Sequence, residues 1–278
     1  MTTETDRSSD RATGSAAGLA AVHERRFAFG RNWTRFLAGL DDTQIDAAEA
    51  SLREAISARD LIRKRFLDAG SGSGLFSLAA RRLGADVVSF DFDQQSVECT
   101  SALKQRYRPD DSAWSVGRGS VLDDDYIRSL GLFDVVYCWG VLHHTGRMYR
   151  AMANVASKVG PKGVLVVAIY NDQAWISRYW TAVKRIYNAS PLGRIIAIAV
   201  HAPYLVAARW IVRTASGRPL PRGMSLWHDM IDWVGGYPFE VAKPEQIFQA
   251  MRDRGFVLER LKTCGGRMGC NEFVFRRE

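Results

Sequence analysis

From Phe66 onward the chain alternates short apolar runs with amphipathic stretches, and that rhythm confines it to strand–helix units laid on a mostly parallel sheet. The apolar runs occupy residues 65–68, 86–91, 114–118, 133–139 and 163–170, lengths that suit strands. Helical spacing occupies 74–83, 94–107, 124–130 and 148–158 between them, and Pro161-Lys162-Gly163 supplies a turn before the fifth strand. A helix led by Pro244 resumes the pattern to residue 254. Strands at 256–263 and 272–276 follow, joined by a Gly-rich stretch from Cys264 to Cys270. A terminal hairpin of this kind requires one antiparallel strand. The expected fold is α/β, with a seven-stranded, mostly parallel sheet, one antiparallel strand and a helical insertion after strand 5.

At 278 residues the chain is long enough for one domain carrying such an insertion. The pattern divides it into a disordered tail at 1–22, a helical and aromatic segment at 23–60 and a ligand-binding core at 61–170. A basic, aromatic helical cap at 171–240 comes next, and the last helix and hairpin of the core close the chain at 241–278. Residues 1–20 are small and polar, with no apolar stretch of signal-peptide length, so a cytoplasmic location is expected. The four cysteines form no CxxC pair, and no His, Cys, Asp or Glu grouping has metal-ligand spacing. Reduced thiols and no metal are the expectation.

The segment Phe66-Leu67-Asp68-Ala69-Gly70-Ser71-Gly72-Ser73-Gly74 says most about chemistry. An apolar strand runs into a Gly-rich turn and then a helix. Glycines serve where the backbone turns sharply and a ligand must approach it closely. The dinucleotide spacing G-x-G-x-x-G/A would put its last position at Leu75, which fails it. Asp91 ends the second strand 21 residues after Gly70, close to the offset at which a carboxylate meets ribose hydroxyls. Phe92 beside it offers a ring to an adenine face, and Asp93 suits the cap of the next helix.

Residues 65–171 resemble the core of the class I S-adenosylmethionine-dependent methyltransferases, whose fold is Rossmann-like. LDAGSGSG looks like the first motif of that class and VVSFDFD like its second-strand acidic motif. Gly119-Ser120-Val121-Leu122-Asp123 resembles the adenine-side loop, although many members carry an acidic residue where Ser120 stands. FDVVYCWGVLHHTG and PKGVLVVAIYN resemble the fourth and fifth strands. Within the class the chain looks nearest to the ubiquinone- and menaquinone-type and related small-molecule O-methyltransferases. The resemblance implies S-adenosyl-L-methionine as cofactor, held by Asp68, Gly70, Ser71, Gly72, Gly74, Asp91, Phe92, Ser120, Val121 and Trp139.

A sulfonium methyl is already activated, so alignment does most of the work, but a neutral hydroxyl acceptor also needs a group to take its proton. His143 and His144 follow the fourth strand directly, in the crevice beyond the carboxyl ends of the strands where ligands of such folds bind. His228 and Asp232 lie one helical turn apart and suit a base and its orienter. The alternatives are that the paired histidines only shape a loop, and that the helix around Trp227 and Trp233 packs its tryptophans on the core.

The net charge of +8 belongs to one segment. Between Gln173 and His228 stand Arg178, Lys184, Arg185, Arg194, Arg209, Arg213, Arg218 and Arg222, with no Asp or Glu. The apolar run at 195–212 is interrupted by His201, Pro203 and Arg209, so it reads as a cap or an interfacial segment on anionic membrane, not as a span. O-methylation of a small or lipid-linked acceptor (a quinone precursor, phenol or sugar) is the leading expectation. RNA or other nucleic-acid methylation and non-catalytic cofactor binding are the alternatives. The apolar run suits a phosphate groove poorly, and no Asn/Asp-Pro-Pro-Tyr motif follows the fourth strand, so nucleic acid is disfavoured.

Overall fold

The computed structural model describes residue 27, residues 29–216 and residues 226–278. The expected tail, Arg218 and Arg222 lie outside the described residues. One seven-stranded sheet holds β1 (Arg65–Ala69), β2 (Asp86–Asp91), β3 (Trp114–Arg118), β4 (Phe133–Trp139), β5 (Val159–Tyr170), β6 (Phe256–Lys262) and β7 (Cys270–Arg277). Its order is β3-β2-β1-β4-β5-β7-β6. The first five strands pair in parallel, and β7 runs antiparallel to both β5 and β6, as the terminal hairpin demands. Strand order reverses between β1 and β4, and the crevice at such a switch point is where open α/β sheets bind ligands.

The fifth strand differs from expectation. Pairing jumps from Phe133↔Val159 to Val135↔Val164, so the Pro-Lys-Gly turn is looped out within β5 instead of preceding it. Lys162 takes a left-handed φ of 57° there, as turn chemistry allows, and the strand pairs on both sides of the interruption.

Alternation along the strands sends neighbours to opposite faces. On β1, Phe66 joins Leu52, Leu78 and Trp114 in one core cluster, while Leu67 joins Val136, Met152 and Phe275 in the other. The helices covering the sheet are α1 (Gly30–Ala38), α2 (Asp42–Ile56), α3 (Leu75–Arg82), α4 (Gln94–Tyr107), α5 (Asp124–Ser129) and α6 (Met148–Ala156). After β5 come α7 (Trp175–Ala189), α8 (Pro191–Ser216) and α9 (Leu226–Gly235), then α10 (Pro244–Arg252) leads into β6.

Helices α7 to α9 build a third apolar cluster from Trp180, Tyr187, Leu205, Met230 and Val234, with Phe27 and Tyr170 packed against it. Two side chains of α7 cap the carbonyl end of α9: Lys184 Nζ donates to the Trp233 carbonyl, and Asn188 donates to Gly235 at 2.7 Å. The ammonium of Lys184 is fully buried, and it sits 4.7 Å from the ring centroids of both Trp233 and Phe239. A helix C-terminus and two aromatic faces thus replace its water. Among the described residues no helix is long and apolar enough to cross a membrane.

Candidate active site

The carboxyl ends of β1, β2 and β4 open on a cavity of about 430 Å³, within the size range of small-ligand sites. Beyond β1 the chain turns through Gly70, Gly72 and Gly74, at φ 85°, 55° and 79°. All three are left-handed conformations that side chains oppose. A Cβ at Gly70 would meet Val141 at 2.4 Å, and one at Gly72 would meet the Trp33 ring at 3.0 Å. The turn is therefore closed around by neighbours, with bare backbone facing the cavity at Gly70 and Gly72.

Asp91 ties the second strand to this turn. One carboxylate oxygen accepts the Gly72 N–H at 3.0 Å and the other accepts the Asp93 N–H at 2.9 Å. Burial pushes its pKa up to about 6 against those hydrogen bonds. An ionised carboxylate in this position is stabilised by further O–H donors, which is what a ribose edge offers. Phe92 lies beside it under the Arg118 guanidinium, 5.9 Å from the ring centroid. Val121 is buried, and its carbonyl accepts from Asn154 at 2.9 Å, which fixes the loop carrying Ser120. Trp139 closes β4 on the same cavity.

Seven of the expected cofactor residues thus line one space: Gly70, Gly72, Asp91, Phe92, Ser120, Val121 and Trp139. Asp68, Ser71 and Gly74 do not; they brace the turn from behind. Ser71 Oγ lies 2.9 Å from Thr100 Oγ1, and Gly74 packs on the Thr100 backbone. Asp68 ends a buried relay: Ser77 gives its only hydroxyl hydrogen to Asp68 at 2.5 Å and therefore accepts from Ser89 at 2.7 Å, which itself accepts from Trp114 Nε1 at 2.8 Å.

Burial raises the Asp68 pKa to about 7, against the Ser77 hydrogen bond. A carboxyl whose folded pKa lies above its unfolded value lends stability at low pH, and that stability is lost as pH rises toward 7. Asp68→Asn keeps an oxygen for Ser77 and removes the titration. It should melt higher than the parent at pH 8 and lose more than half of that advantage at pH 5, at about 1.4 kcal/mol for each pH unit between the unfolded and folded pKa values. Melting curves at the two pH values check this; an equal shift at both contradicts it.

An aromatic wall supplied from outside the core completes the cavity: Phe27, Phe29, Trp33 and Tyr237. Asp93 positions its first part, capping α4 through the Gln95 N–H at 3.0 Å and accepting the Gly30 N–H at 2.9 Å with its other oxygen. Phe27 N donates to the Tyr237 carbonyl at 3.0 Å, joining the wall's two halves. The segment after Tyr237 is stitched across the site: Glu240 N donates to the His143 carbonyl at 2.9 Å, and its carboxylate accepts the Met148 N–H at the start of α6.

The three candidate histidines part company. His144 lines the cavity, and its Nδ1 lies 2.7 Å from the Pro238 carbonyl. A carbonyl only accepts, so Nδ1 carries the hydrogen and the neutral ring has its lone pair at Nε2. His143 is fully buried against Tyr170, with ring centroids 3.9 Å apart, and is not a lining residue. Burial, then the charges of His144 and Lys184, hold its pKa well below the ordinary imidazole value. The side chains of His228 and Asp232, on α9, lie outside the described residues.

These residues fit an adenosyl group: bare glycine backbone at β1, a buried carboxylate at β2, and Phe92 with the Ser120 loop beside it. A family model described as a methyltransferase domain matches residues 42–211, more than half of the chain. The chain is 31% identical over 125 residues to a ubiquinone biosynthesis O-methyltransferase of Rhizobium etli, covering 45% of this chain and 48% of that one. A Rickettsia canadensis protein of the same description is 22% identical over 214 residues, 77% of this chain and 71% of that one. The chain thus spans about half the length of the first curated relatives it matches. Among solved structures, magnesium protoporphyrin IX methyltransferase from Synechocystis with SAH bound has the same fold at TM-score 0.55 and 14% identity, over 90% of this chain and 94% of that one. An S-adenosylmethionine-dependent methyltransferase from Mesorhizobium loti gives TM-score 0.52 at 17% identity, over 87% and 100%. The chain belongs to the methyltransferase domain family, among the class I S-adenosylmethionine-dependent methyltransferases.

Proposed function

We propose that the chain methylates a hydroxyl group on a small, largely apolar aromatic acceptor, with His144 taking the hydroxyl proton at Nε2. One observation carries this reading: His144 sits where the cofactor cavity meets the wall of Phe27, Phe29 and Tyr237. Asp91 ends β2 and His144 lies in the turn after β4, and these strands, two places apart in the sheet, are separated by about 10 Å. That span leaves room for a nucleoside between the ribose end and the proton acceptor. Bound S-adenosylmethionine supplies an activated methyl on sulfur. The chain's own residues hold it by the turn and Asp91, exclude water with the aromatic wall, and accept the proton. Phe29 packs against the His144 ring, centroids 4.8 Å apart, and with the Pro238 carbonyl fixes its orientation. The name of the curated relatives, ubiquinone biosynthesis O-methyltransferase, supports an oxygen acceptor on the same grounds.

The test is transfer of labelled methyl to simple phenols and catechols. Label recovered as an alkali-stable methyl ether supports the proposal. Transfer only to nitrogen, to carbon or to added RNA overturns it.

A further inference from the structure

Helix α8 carries apolar side chains on its outer as well as its inner face, and only the inner face is buried. Ala197, His201, Ala202 and Leu205 turn inward with the cap cluster. On the other side Leu192, Ile195, Val200 and Tyr204 are 65%, 64%, 63% and 61% exposed, and Ile196 accompanies them at 50%. Their spacing of three to five residues draws a single stripe about 18 Å long on the helix surface. A contiguous exposed apolar stripe is a contact surface waiting for a partner.

Charge selects the partner. Residues 173–228 hold eight Lys and Arg and no Asp or Glu; Lys184 is buried within the cap, while Arg178, Arg185 and Arg194 are exposed. On α7, Arg178 and Arg185 are exposed beside the exposed Trp175, Tyr179 and Ile186. Arg194 on α8 lays its guanidinium 5.3 Å from the Tyr187 ring centroid. A second copy of this face would bring arginine to arginine with no carboxylate in the segment to neutralise them. An anionic bilayer supplies both a negative surface and an apolar layer beneath it. We infer that the outer faces of α7 and α8 dock on an anionic lipid membrane, with the aliphatic stripe dipping into the headgroup region and the arginines pairing with lipid phosphates. No described helix is long and apolar enough to span, so the contact is along the surface.

The docking face includes no cavity residue, so it stands apart from the acceptor proposal. Co-sedimentation with phosphatidylcholine vesicles, with and without phosphatidylglycerol, tests it. The full chain should partition at least about tenfold more strongly to the anionic vesicles, with added salt removing most of that difference. The double variant Ile195→Ser, Val200→Ser should lower partition by about tenfold at any salt. Arg178→Glu with Arg185→Glu should abolish the anionic preference. Unchanged cofactor affinity reports that each variant is folded, and the salt series on the parent chain stands if one is not. No partition to either vesicle, or partition that both variants leave unaltered, overturns the inference. So does a dimer that the serine pair dissociates, in a chain that ignores vesicles.

Discussion

His144→Ala lowers turnover by roughly 10²–10⁴-fold, the usual worth of a positioned proton acceptor, and leaves S-adenosylmethionine affinity unchanged. The cavity places His144 alone of the described histidines among its lining residues, with the Nδ1 hydrogen committed to the Pro238 carbonyl, so the neutral ring carries its lone pair at Nε2. Added imidazole should restore part of the lost rate, which a purely structural loss would not allow. Steady-state turnover on a phenolic acceptor, with and without imidazole, is the measurement. Near-normal turnover in the variant removes His144 from the role. It would leave alignment of the reactants to account for the rate.

Asp91→Ala has the second large effect, on binding. The carboxylate is pre-set by the Gly72 and Asp93 amides, and its remaining capacity faces the cavity. Losing charge-assisted hydrogen bonds to a ribose edge costs ~1–3 kcal/mol, about 5- to 150-fold in affinity. The pH dependence has a fixed sign. Burial lifts the carboxyl to about 6, so the ionised acceptor is intact at pH 8 and protonated below 6. Cofactor affinity should therefore fall as pH drops through 6 in the parent chain and be flat there in Asp91→Ala. Calorimetric titrations across that range decide the matter; parallel pH curves for the two chains would contradict the role of Asp91.

The sheet and the cofactor end of the site were legible because their physics is local. A glycine at a left-handed turn, an acid ending the next strand and two-residue alternation all leave their mark within a few positions of sequence. Asp68 was placed in the site by its motif, but strand parity already spoke otherwise. It shares the parity of Phe66, whose side chain packs with α2 and α3, and not of Leu67 and Ala69 in the opposite cluster. His143 and His144 are neighbours on one short turn, and only tertiary packing separates a buried ring from a lining one. The aromatic wall was out of reach of the sequence. Phe27 and Tyr237 meet across more than two hundred positions, and the stretches holding them showed themselves only as an aromatic run and a turn. The bulge within β5 was likewise hidden, since Pro161, Lys162 and Gly163 mark a turn without saying whether the strand continues beyond it.

This Gly-rich turn with its acid is built for an adenosyl sulfonium and not for a dinucleotide. Leu75 stands where the dinucleotide spacing needs its last small residue, and Trp33 fills the space next to Gly72. Competitive calorimetry of the purified chain with S-adenosylmethionine, S-adenosylhomocysteine and NADH measures this directly. S-adenosylmethionine should bind saturably and one-to-one, displaced by S-adenosylhomocysteine and untouched by NADH. Binding of NADH that S-adenosylmethionine cannot displace would contradict it.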